Sequence, residues 1–130
     1  MIALDTNVLL RALVDDADAK AQCAAARRLV SEAGEVAISA VVFLETMWTL
    51  SRSFGYSRAQ VARVGTMLLE HPKYHVRAME LFAPAIKRYA DSTIDFADAV
   101  ALEDAIRHGD QIHTFDRKFA KLDGAHAVRA

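Results

Sequence analysis

Residues 1–10 read MIALDTNVLL, and the passage in that stretch from apolar run to acid to helical spacing decides the fold. Ile2-Ala3-Leu4 is apolar throughout and lacks in/out alternation, which predicts a short strand buried on both faces, as in a parallel sheet. Asp5 closes it, and Val8, Leu9, Leu10, Leu13 and Val14 then recur at helical spacing. The same alternation runs down the chain. Residues 35–38, 74–76 and 111–114 predict further strands, and 125–128 a fifth. Asp15-Asp16-Ala17-Asp18 breaks the first helix, and Asp18 is placed to cap a second that Gly34 ends. Ser39 and Ser57 are placed to cap helices over about 41–54 and 58–70. Further helices are expected over 79–89, with Pro84 in a first turn or at a kink, and over 96–108, closed by Gly109. A short helical turn is expected after Asp116. This rhythm predicts an α/β protein: a three-layer α/β/α sandwich around a mostly parallel sheet of four to five strands.

A chain of 130 residues fits one domain, 1–130, and is long enough to bury a core without staples. Hydrophobic residues make up 53%, above the usual ~45–50%, which implies a filled core with apolar surface left for a partner. The single cysteine, Cys23, excludes an intrachain disulfide and a cysteine-based zinc cage. The start has no basic segment leading into an apolar one, and the longest apolar run, Ala40 to Leu44, is far short of the ~20 residues of a membrane helix. A soluble, cytoplasmic protein with no membrane partner is expected. The formal net charge of −1 weighs against a nucleic-acid ligand unless bound cations or a local basic patch supply the missing charge.

Ligands of open parallel sheets bind beyond the carboxyl ends of the strands. The residues there are Asp5-Thr6-Asn7, then Ser39 and Glu45, then Asp95 and Asp98 at the start of a late helix, then Thr114 and Asp116. Acids dominate, and there is neither a Ser–His–Asp order nor a glycine-rich phosphate loop. Glu45 and Asp98 have no Lys or Arg one helical turn away, and Glu45 falls in a stretch that otherwise reads as core. Unpaired carboxylates converging in one cleft raise each other's pKa, and a hard divalent cation relieves that repulsion; Mg²⁺ or Mn²⁺ suits such donors. Each acid also has a structural alternative. Asp5 and Asp116 can be helix caps, and Asp95 with Asp98 has the spacing of a cap and a first-turn acid. Arg11, Arg117, Lys118 and Lys121 flank the acids as candidate phosphate contacts. The five histidines show no paired-ligand spacing, and Trp48, Phe43, Phe54 and Tyr56 read as core or interface.

Four segments resemble the PIN-domain family in order and spacing: MIALDTNVLL, SAVVFLETMWTL, DFADA and TFDRKF. The resemblance covers essentially the whole chain. It implies that Asp5, Glu45, Asp98 and Asp116 bind Mg²⁺ or Mn²⁺ and are catalytic, with Asn7, Thr114 and Asp95 in support. The opening is similar to that of VapC-like toxins of type II toxin–antitoxin systems. That similarity implies an endoribonuclease acting on RNA, a homodimer, and inhibition by a cognate antitoxin. Two other readings remain at this point. A phosphatase of the haloacid dehalogenase type also has an acid after its first strand, but Asp5-Thr6-Asn7 lacks the second acid such enzymes carry. A catalytically inactive PIN-fold module would bind a partner without cutting.

Overall fold

The computed structural model describes residues 1–130. In chain order the elements are β1 (Ile2–Ala3), α1 (Thr6–Leu13), α2 (Lys20–Glu32), β2 (Val36–Ile38), α3 (Ala40–Arg52), α4 (Arg58–Glu70), β3 (Tyr74–Val76), α5 (Met79–Ala90), α6 (Phe96–His108), β4 (Ile112–Thr114) and β5 (Ala125–Ala127). Short 3-10 turns lie at Ala17–Ala19 and Phe119–Lys121. No helix is long and apolar enough to cross a membrane.

Every strand pair is parallel. β2 lies between β1 and β3, with Val36 opposite both Ile2 and Tyr74. All three of its residues are buried, which is why 36–38 is an unbroken apolar run. Parallel neighbours require a long crossover, and the pairs α1–α2 and α3–α4 supply the two that this sheet needs. β4 and β5 pair separately, Ile112 opposite Ala125. The α/β class and the parallel pairing are therefore as expected, while the ladder divides into three strands and two. β1 gives the amides of Ile2 and Leu4 to Glu35 and Ala37 on the β2 side.

The core joins 23 buried residues drawn from strands and helices alike. At its centre Phe43 of α3 stacks on Phe82 of α5 with centroids 4.4 Å apart, and both rings pack against Phe96 at the start of α6, at 5.9 and 6.1 Å. Such aromatic contacts fix the three helices relative to one another. Local signals account for most helix starts. Ser39 Oγ accepts from Val42 N, and Ser57 and Gln60 form a reciprocal capping box. The second helix begins differently from expectation. Asp18 does not cap it: the N-cap of α2 is Ala19, without a side-chain bond, and Asp16 caps the 3-10 turn before it, its Oδ1 accepting from Asp18 N and its other oxygen held by Arg11 at 2.8 Å. Pro84 lies inside α5 rather than in its first turn, and the helix continues past it to Ala90.

Thr46 is the one buried polar residue, fully enclosed, and its Oγ1 has no hydrogen-bond partner. A buried unsatisfied hydroxyl costs about 1–3 kcal/mol. Thr46→Val keeps the shape and removes the hydroxyl, so it should stabilise the protein by about 1 kcal/mol, or a few degrees in Tm. Thermal denaturation measures this; a drop in Tm would mean that the hydroxyl has a partner in solution.

Candidate active site

The site is built around the first turn of α6. Three contacts set where that turn stands. Phe96 is buried in the aromatic cluster. Arg58, at the start of α4, donates to the carbonyls of Tyr89 at 2.8 Å and Ile94 at 2.6 Å. Its guanidinium also lies 4.2 Å from the centre of the Tyr89 ring, a close cation–π contact. One arginine thus ties the end of α5 to the residue just before Asp95.

Asp95 occupies the N-cap position of α6, yet its side chain makes no capping hydrogen bond. The capping role that its spacing suggested is not taken up, and its carboxylate is exposed. Asp98, one turn further on, is half-buried. Its pKa is raised above the ordinary carboxylate value, first by burial, then by the charge of Asp95, then by that of Asp116. No cation or hydrogen bond acts in the opposite direction. Asp116 reaches this group from the loop after β4. Its Oδ1 accepts from the amides of Lys118 at 2.8 Å and Phe119 at 3.2 Å, and its own amide donates to Thr114 Oγ1 at 3.0 Å. Capping and charge therefore coexist in Asp116: one oxygen holds the short turn, and Thr114 holds the backbone beneath it.

Asp5 and Glu45 are not among the charges that act on Asp98. Asp5 caps α1, its Oδ1 accepting from Val8 N at 2.9 Å, and Asn7 is exposed in the first turn. Glu45 departs from expectation. It is not set in the core but exposed, because α3 turns Phe43, Thr46, Met47 and Leu50 inward and leaves Val41, Glu45, Trp48 and Arg52 outside. A solvated glutamate has no desolvation penalty to be relieved, so its apolar flanks carry no argument for a ligand. The structure thus groups Asp98 with Asp95 and Asp116, and Asp95 stands nearer the centre than its supporting role implied.

No three acidic, histidine or cysteine side chains converge closely enough here to cage a metal ion. The donor chemistry nonetheless fits a hard divalent cation: Mg²⁺ is commonly held by one or two carboxylates, with water and substrate phosphate completing its shell. The oxygens of Asp98 and Asp116 are of that kind, and the like-charge crowding at Asp98 is what a cation would relieve. Of the flanking cations, Arg11 is engaged by Asp16 at 2.8 Å and Gln22 at 2.9 Å. Arg117, Lys118 and Lys121 are exposed and form no ion pair.

The family model of the PIN domain matches residues 2–125. The chain belongs to the PIN-domain family. PIN domains are generally nucleases, which makes hydrolysis of nucleic acid the activity class of this fold. No curated protein matches the chain in sequence. Among solved structures it is similar to one described as a toxin–antitoxin complex from Klebsiella pneumoniae, at 20% identity over 96% of this chain and 95% of that one, with a TM-score of 0.38. For this PIN domain, the crowding at Asp98 has a consequence for stability. The folded state holds the Asp98 proton more tightly than the unfolded chain does. Its contribution is therefore fully present below the unfolded carboxylate pKa and is lost as pH rises through the raised folded value. Asp98→Asn in EDTA is expected to melt above the parent at pH 7, with the gap closing as pH falls below the ordinary carboxylate range. Thermal melts across pH test this; a gap independent of pH would show that Asp98 is not crowded.

Proposed function

We propose that this PIN domain is a metal-dependent endoribonuclease, the toxin half of a VapBC-type toxin–antitoxin pair. The observation that carries the reading is Asp98, half-buried among Asp95 and Asp116 with no protein cation to balance them. Asp98 and Asp116 would hold Mg²⁺ or Mn²⁺, joined by Asp5 and Glu45 on the strength of the family resemblance. When bound, such an ion supplies a Lewis acid for the phosphodiester and makes water a better nucleophile at neutral pH. The chain's own part is positional and electrostatic. Arg58 and Phe96 fix the turn that carries Asp98. Thr114 fixes the backbone of Asp116. Arg117, Lys118 and Lys121, just beyond Asp116, are placed to meet backbone phosphates. The resemblance to VapC-like toxins supports a cytoplasmic homodimer held in check by a cognate antitoxin.

The test is cleavage of structured RNAs and matched DNAs by purified chain in Mg²⁺ or Mn²⁺ and in EDTA. RNA should be cut only with metal, and Asp98→Asn or Asp5→Asn should fall to the EDTA level while remaining folded. An Asp98→Asn protein that keeps near-normal metal-dependent cutting would remove that residue from the mechanism. RNA left intact by folded, antitoxin-free protein would favour a module that only binds. The phosphate contacts have their own measurement. Affinity for single-stranded RNA should fall with salt, and each of Arg117→Gln and Lys118→Gln should reduce the log–log slope by about 0.7. An unchanged slope would place those cations away from the RNA.

A further inference from the structure

Trp48 is the only tryptophan in the chain, and it is 56% exposed on the outer face of α3. It is therefore not a core residue. The guanidinium carbon of Arg52, one turn on, lies 5.6 Å from the centre of its ring, and Arg52 forms no ion pair. Between α3 and the start of α6 lies a cavity of about 110 Å³ whose walls include Trp48, Ser51, Arg52, Asp95 and Phe96. An exposed indole and an unpaired guanidinium thus share one wall with Asp95, a residue whose charge acts on Asp98.

We propose that Trp48 and Arg52 form a nucleobase subsite beside the acidic group, in which an unpaired base stacks on the indole and Arg52 meets the adjoining phosphate. This rests on the ribonuclease reading and assigns to it a base-contacting surface on the outer face of α3. Stacking on an aromatic side chain is available only to a base that has left its own stack, as in loops and single strands. An arginine beside the ring adds a positive charge for the backbone. A protein seated over the same wall would enclose the Asp95 carboxylate, which has no capping or ion-pair partner, whereas a single strand held by the indole and the guanidinium need not cover it.

Because Trp48 is the sole tryptophan, its emission reports on this wall alone. An RNA that the protein cuts is titrated in EDTA, and in Mg²⁺ with Asp98→Asn, while anisotropy of a labelled strand follows binding. The comparison ligands are a duplex and an abasic ribose-phosphate strand of equal length. The single strand should quench Trp48, and the duplex and the abasic strand should not. Trp48→Ala should lose about 5- to 150-fold in affinity, or an equal factor in kcat/KM, with Tm unchanged, and Trp48→Phe should recover most of it. Arg52→Gln should weaken binding with less effect on quenching. RNA that binds or is cut with Trp48 emission unchanged, or equally well after Trp48→Ala, overturns the subsite and leaves the ribonuclease reading standing. Emission that shifts with protein concentration but not with RNA also overturns it and assigns Trp48 to an interface between copies of this chain. Absence of both binding and cutting for every RNA strikes the ribonuclease reading itself.

Discussion

Parallel pairing imposes one constraint on everything downstream: strands that run the same way end at the same edge. β1, β2 and β3 share a direction, as do β4 and β5, and each crossover must begin from a carboxyl end. Residues that follow strands therefore serve two purposes in this chain. They start the next helix or turn, and they lie at the carboxyl ends of their strands, where ligands of parallel sheets bind. Asp5 after β1, Ser39 after β2 and Asp116 after β4 all accept amide hydrogen bonds in such starts. A carboxylate suits both purposes, since one oxygen can satisfy an amide while the other stays free for a cation.

Asp95 departs from that economy. At an N-cap, a carboxylate ordinarily bonds back to the first turn, and Asp95 does not. The first turn of α6 is held instead by the packing of Phe96 and by Arg58 at the Ile94 carbonyl. Having its position fixed from outside frees the Asp95 side chain, and the freed charge adds to the crowding at Asp98. The fold thus holds like charges near one another with contacts that involve none of them. Such an arrangement is unfavourable on its own and is of the kind that a bound cation would relieve, as the proposed function requires.

Much of this was readable from residue patterns because local rules and tertiary packing agree in those places. Strand 74–76 and helix 96–108 fall where apolar runs and the closing Gly109 put them. Structure departs from local pattern where a neighbour decides. The preference for Asp16 over Asp18 depends on Arg11, five residues away in sequence. Glu45 lies outside the core with Val41 and Trp48, which are apolar yet exposed, so hydrophobicity does not mark burial along α3. The positions of Phe43, Met47 and Leu50 did carry the true inward face, and the helical period set against them would have placed Glu45 outside. Arg58 was invisible as a site element, since nothing in a sequence tells an arginine that clamps two carbonyls from one that waves in solvent. The grouping of Asp95, Asp98 and Asp116 joins segments that only the fold brings together.

The slight net negative charge looks at first like an objection to an RNA ligand, and the distribution of charge answers it. The acids of the cleft account for a concentrated share of the negative charge, while Arg117, Lys118 and Lys121 follow directly on Asp116 without acidic partners. A polyanion approaching Asp98 meets like charges, with exposed cations on the segment that follows Asp116. In the proposed reading, a divalent cation at Asp98 would offset most of the charge of the acidic centre and leave the exposed cations unchanged. On that reading affinity and chemistry would answer to the same ion, because the group that would polarise the phosphodiester would also reduce the repulsion keeping it away.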